Sequence, residues 1–146
     1  MRERKSMGLA FDVAGLEAYM DEIFPQVADD FAVDALSMEG ITMRLKVAER
    51  HLRPGGTVSG PSMFALADVT VYGLVLSRLG AKALAVTTNC SLDFMRKPEA
   101  GRDIIAKGQL LKLGRSLAVG DVHMFSEGSD KLVARSTMTY SIPPER

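Results

Sequence analysis

The chain has 146 residues, 47% of them hydrophobic and 25% charged, with 18 basic side chains balancing 18 acidic ones. That length suits one domain with a sizeable core, and the composition excludes a disordered chain. Zero net charge argues against a nucleic-acid-binding domain, whose footprint is basic, but leaves room for a local basic patch around a phosphorylated ligand.

The lone cysteine, Cys90, cannot form an intrachain disulfide and suits a reducing compartment. The opening MRERKSMGLAFDVAG has a charged head with no apolar stretch of leader length behind it. Met63–Leu79 is the one segment that resembles a membrane span, but it is short and carries Asp68, Thr70, Ser77 and Arg78. A soluble, cytoplasmic chain with no membrane partner is expected.

In chain order, VAGLEAYMDEIFP reads as a short amphipathic helix, with Leu16, Met20, Ile23 and Phe24 at helical spacing and Pro25 ending it. FAVDALSMEGITMRLKVAE reads as a hairpin turning at Glu39-Gly40, with Ile41, Met43, Leu45 and Val47 alternating with polar residues. HLRPGGT is punctuated by proline and glycine and belongs to a loop. A helix follows, capped by Ser59 or Gly60, with Pro61 in its first turn, running to about Arg78 and stopped by Gly80. It is apolar on nearly every side, so other structure must wrap it.

Everything after Gly80 is strand-like. In LAVTTNCSLDFM, Leu84, Val86, Cys90, Leu92 and Phe94 are expected on one face and Thr87, Asn89, Ser91 and Asp93 on the other. Cys90 is then a core thiol. DIIAKGQLLKL and SLAVGDVHMF flank a turn at Gly114-Arg115, and KLVARSTMTYSI turns Leu132, Ala134, Met138, Tyr140 and Ile142 to one face. Four shorter or three long strands in an antiparallel meander are expected, curled around the central helix. The fold class is α+β, in a single domain over 1–146 whose first 30 residues hold the short helix.

The ionisable Asp68 inside the apolar helix is the anomaly. Residues alone leave two readings, a structural acid tied to backbone or arginine and a functional one. Gly60 and Ser59 could each be no more than cap residues, and Thr87 an ordinary strand threonine. His51 is expected to fix a loop by hydrogen bonding, His123 to lie at the surface beside Asp121, and two histidines with one cysteine offer no metal site.

Element order and motif together resemble the hotdog-fold thioesterases, in particular the group of the phenylacetate-pathway thioesterase PaaI. That group shows His-x-Asn-x-x-Gly-x-x-His-Gly-Gly, then Asp in a Leu-x-Asp context eight residues after the first glycine of the pair. The matching positions are His51, Arg53, Gly56, Ser59, Gly60, Pro61 and Leu66-Ala67-Asp68. Arg53 replaces the asparagine, Ser59 the histidine and Pro61 the second glycine, while Gly60 and Asp68 are kept. The resemblance spans the chain from about residue 30 onward. It implies a hotdog fold, a dimer or tetramer, and hydrolysis of an acyl- or aryl-coenzyme A with no cofactor beyond the coenzyme A of the substrate. It also implies that Thr87 helps orient the attacking water, and that FMRKPEAG and GRSLAV contact the nucleotide.

Thioester hydrolysis needs a donor for the developing oxyanion and a group that delivers oxygen. The Gly60 N–H, at the positive end of a helix and free of a side chain, suits the first. Asp68 suits the second, as general base on water or as nucleophile. Eight helical residues separate them by about 12 Å, whereas one carbonyl needs both within about 3.5 Å. Two subunits related by a two-fold axis, with Gly60 of one facing Asp68 of the other, resolve the conflict. Arg53, Arg96, Lys97 and Arg115 are candidates for the coenzyme A phosphates. His51, Ser59 and Pro61 are candidates for substrate contact beside them, and Met63 for the acyl pocket. Two competing readings are a hotdog hydratase or dehydratase, disfavoured because the central helix lacks histidine, and a non-catalytic acyl-coenzyme A binding or sensor module. The replaced asparagine and histidine favour the latter; the retained acid opposes it.

Overall fold

The computed structural model describes residues 8–144, so the first seven residues of the N-terminal segment lie outside the described part. Helix α1 (Val13–Ile23) is capped by Asp12, whose carboxylate accepts the Gly15 N–H, and Pro25 starts a separate 3-10 turn after it. Strands β1 (Phe31–Ser37) and β2 (Gly40–Leu45) pair as the expected hairpin. Strand β2 stops at Leu45, which leaves Val47 beyond it.

Helix α2 (Gly60–Leu79) takes Ser59 as its N-cap, and Gly80 ends it at a φ of 81° that favours glycine. Strands β3 (Val86–Phe94), β4 (Ile104–Leu113), β5 (Leu117–Ser126) and β6 (Leu132–Ser141) complete one antiparallel sheet in the order β1-β2-β4-β5-β6-β3. There are thus four long strands after α2, and the expected meander holds only for β4, β5 and β6. Strand β3 crosses to the far side of β6 and becomes the sheet's edge.

The sheet curls around α2, as its composition demands. Twelve residues of α2 are buried, from Met63 to Ser77, and the core joins Leu66, Val71, Val75 and Leu76 to Met43, Ile104, Val122 and Met138. Full burial of each large side chain contributes roughly 1.5–3 kcal/mol. The helix's own hydroxyls are satisfied without water: Thr70 Oγ1 donates to Leu66 O at 2.7 Å and Ser77 Oγ to Leu74 O at 2.8 Å.

Two strand glycines let α2 lie close to the sheet. A Cβ on Gly108 would stand 2.7 Å from Thr70 Cγ2, and one on Gly120 would stand 2.9 Å from Val71 Cγ2. Because Val71 is fully buried, it has nowhere to retreat. Gly120→Ala is therefore expected to lower unfolding stability by about 1–3 kcal/mol through overpacking. Denaturant titration should show a lower midpoint with an unchanged slope.

Candidate functional site

Strand β3 departs from the predicted faces at a β-bulge. Thr87 pairs with Tyr140 and Asn89 with Thr139, leaving one extra residue between them. The period-2 alternation slips by one there, so Thr87 joins Cys90, Leu92 and Phe94 on the helix side and Val86 turns away beside Ser141. Leu84 precedes the strand and is exposed. Cys90 shares its face with Leu92 as expected but is exposed, because β6 covers an edge strand from one side only.

That slip builds the site. Asp68 is half-buried on α2, and its Oδ1 accepts hydrogen bonds from Thr87 Oγ1 and from the Tyr140 hydroxyl, the latter at 2.7 Å. The Tyr140 hydroxyl also lies 3.0 Å from the Asp68 carbonyl oxygen. Neither backbone N–H nor arginine holds the carboxylate, and Oδ2 has no hydrogen-bond partner among the described residues. One oxygen is thus fixed by two hydroxyls and the other is not. The cleft around it is walled by Ile23, Phe24, Tyr72, Ala85 and Val86.

Sequence reasoning missed Tyr140. It stands 72 residues from Asp68, and the one signal was a hydroxyl-bearing aromatic on the predicted inner face of the last strand. Tyr72 stacks on it with ring centroids 5.9 Å apart and donates to Ala83 O at 2.6 Å. Burial first, and the Asp68 carboxylate second, hold the Tyr140 phenol above the ordinary tyrosine range.

Gly60 lies elsewhere. It lines a second cleft with Arg53, Met63, Arg96 and Lys97, against the ring of Phe94, whose Cζ would be 3.2 Å from an added Cβ. The first turn of α2 has one N–H without a partner among the described residues. Pro61 has none, Ser59 Oγ accepts from Ser62 N at 3.3 Å, and Met63 N donates to Ser59 O, which leaves the N–H of Gly60. Met63 is buried, whereas Arg53, Arg96 and Lys97 are exposed around the cleft mouth.

The remaining candidates are not in either cleft. His51 is buried in the loop before α2, where Nδ1 accepts the Ala48 N–H at 2.9 Å and Nε2 lies 3.1 Å from Asp30 Oδ1 without hydrogen-bond alignment. Its backbone carbonyl accepts the Ser59 N–H, so this loop is tied to the helix cap. Arg115 sits exposed in the β4–β5 turn, next to the Leu113–Ala118 and Ala118–Tyr140 pairs. Arg96 follows Phe94, which pairs with Ala134, so the strand pairs flanking the two arginines stand about 20 Å apart along β6. His123 is exposed, 3.4 Å from Asp121.

A thioesterase superfamily model matches residues 55–133, more than half of the chain. The chain belongs to the thioesterase superfamily. A solved thioesterase candidate from Silicibacter sp. TM1040 is 68% identical, covers 96% of this chain and 97% of its own, and superposes with a TM-score of 0.90. Acyl-coenzyme A thioesterase 13 of Mus musculus is 26% identical over 93% of this chain and 91% of its own length. The phenylacetic acid degradation protein PaaI of Thermus thermophilus, solved as a point mutant, is 30% identical, with 80% and 97% coverage and a TM-score of 0.68. The sheet wrapped on α2 is the hotdog fold of this superfamily, and its chemistry is thioester hydrolysis.

The Tyr140 environment has a consequence at alkaline pH. The native phenol titrates above that of the unfolded chain, so the unfolded chain releases the proton first. Stability contributed at neutral pH is therefore lost as pH rises past about 10. Tyr140→Phe should flatten part of that alkaline decline, and should cost about 1–3 kcal/mol at pH 7 by removing a donor to a carboxylate. Urea titrations at pH 7 and across the alkaline range check both.

Proposed function

We propose that the protein hydrolyses an acyl- or aryl-coenzyme A thioester in a dimer, with Gly60 of one subunit and Asp68 of the other acting on the same carbonyl. The observation that carries this reading is the separation of the two clefts. Gly60 and the three basic side chains line one, Asp68 with Thr87 and Tyr140 the other, and no residue is common to both.

Strand β3 supports the dimer. It is a nine-residue edge with no outer partner among the described residues, and Val86, Phe94 and Met95 are each more than half exposed along it and at its end. Antiparallel pairing with the same strand of a second copy would set each Phe94 end beside the other's Val86 end. Gly60 packs on Phe94, and Asp68 is bonded to Thr87, one residue from Val86. The two-fold operation therefore offers two equivalent composite sites. The coenzyme A phosphates lie with Arg53, Arg96 and Lys97 of the subunit that donates the Gly60 N–H. The acyl group lies with the subunit that supplies Asp68.

In that site the thioester oxygen accepts the Gly60 N–H, strengthened by the helix dipole as negative charge develops. Asp68, held by Thr87 and Tyr140, delivers oxygen by taking a proton from water or by attacking through Oδ2. Both routes consume one water and release a carboxylic acid and coenzyme A. Oxygen-18 from labelled water enters Asp68 during turnover only on the second.

The first test is thiol release from a panel of aryl-, short-, medium- and long-chain acyl-coenzyme A esters. Asp68→Asn is expected to lose about a hundredfold or more on any ester turned over. Absence of turnover by a folded dimer would favour the non-catalytic binding module. Gly60→Pro removes the proposed donor, and Ser59 with ψ 156° already has the extended backbone of a residue before proline. Mixed dimers of Asp68→Asn and Gly60→Pro subunits contain one intact composite site. Random subunit exchange should therefore restore roughly a quarter of wild-type activity from two inactive parents. No recovery despite measured exchange would place the whole site in one chain.

A further inference from the structure

Behind the Asp68 cleft lies a second space that the hydrolytic chemistry leaves unused. It is a half-open, mostly apolar recess between α1, the β1–β2 hairpin and α2, lined by Met20, Val27, Phe31, Met43 and Val69, with Glu17 and Asp21 also on its α1 wall. Its volume of about 20 Å³ has room for the tip of an aliphatic chain. Val69 is the residue next to Asp68 on α2, so the cavity begins one helical position from the carboxylate.

Phe24 is the one described residue that lines both spaces. The residue is 37% exposed although it borders apolar space, and it sits outside α1 as the C-cap, at φ −134° and ψ 57°. Its N–H is bonded to Met20 O, which ties its backbone, while Pro25 begins a new turn immediately after. The backbone is thus held on both sides, at the border of the two spaces.

We infer that Phe24 is the gate of an acyl-chain subsite: unbranched aliphatic acyl groups thread from Asp68 past Phe24 into the cavity under α1, and this residue sets the chain length accepted. The inference rests on the thioester reading above and adds the substrate class, a flexible straight-chain acyl group rather than a rigid aryl one. An apolar tail reaching from the Asp68 cleft into this recess exchanges water for the side chains of Met20, Val27, Phe31 and Met43, and a flexible chain bends round Phe24 more readily than a rigid aryl group. The hydrophobic gain grows with each methylene buried.

Two substitutions move the selectivity in opposite directions. Phe24→Ala removes the ring. Ala28→Leu fills the cavity from its half-buried wall, away from the packed core. The quantity read is the ratio of kcat/KM for decanoyl- over butyryl-coenzyme A. It should rise about tenfold in Phe24→Ala and fall by a similar factor in Ala28→Leu, the scale expected for one or two methylenes in an apolar pocket. A ratio within about twofold of wild type in both variants would overturn the gate. The same variants are titrated by calorimetry with decyl- and butyryl-length alkyl-coenzyme A thioethers, which cannot be hydrolysed. If no ester is turned over but the affinity ratio moves in these opposite directions, the cavity stands and the hydrolase reading falls. If esters are turned over and neither ratio moves, the hydrolase stands and the gate falls.

Discussion

A helix without a polar face must be covered on every side, and most of this architecture follows from covering α2. A curved antiparallel sheet does so with six strands, and its close approach depends on strand positions without side chains at Gly108 and Gly120. The same enclosure makes Asp68 unusual. A carboxylate on this helix must find hydrogen-bond donors or stay near water, and it does both: Oδ1 is held by two hydroxyls while the group remains half-buried at a cleft.

The bulge in β3 connects the fold to the Asp68 cleft. Without the extra residue between Thr87 and Asn89, regular alternation would send the Thr87 hydroxyl to the outer face. Asp68 would then keep Tyr140 alone. The bulge also turns Val86 outward on the edge strand, so one backbone irregularity both completes the carboxylate's shell and shapes the edge on which a second copy is proposed to pair. Bulges commonly re-aim a side chain next to a reacting centre.

The N-terminus of α2 shows a comparable economy. Ser59 as cap and Pro61 in the first turn leave Gly60 as the one free N–H among the described residues of that turn. Both Ser59 and Pro61 are departures from the motif the chain otherwise resembles. They retain the donor while removing the side chain and the second N–H that the motif offers. Arg53, which takes the place of the motif's asparagine, stands with Arg96 and Lys97 around the same cleft and concentrates positive charge in a chain of zero net charge.

The element types, the wrapped central helix, its caps and the anomaly of an acid at Asp68 were legible in the sequence, because they depend on local patterns: periodicity, capping chemistry and a charge in an apolar run. The eight-residue spacing also showed that one helix cannot bring both groups to one atom. What the tertiary structure alone decided depends on contacts between distant segments. The place of β3 beyond β6 follows from a crossover that no local pattern encodes, and the bulge reverses the faces read for Val86 and Thr87. Tyr140 reaches Asp68 across 72 residues of chain, and Phe24, expected on the apolar stripe of the first helix, becomes its C-cap and borders two separate recesses. Local sequence sets which backbone a segment prefers. Which side chains then meet is settled when the sheet closes on the helix and each buried polar atom must find its partner.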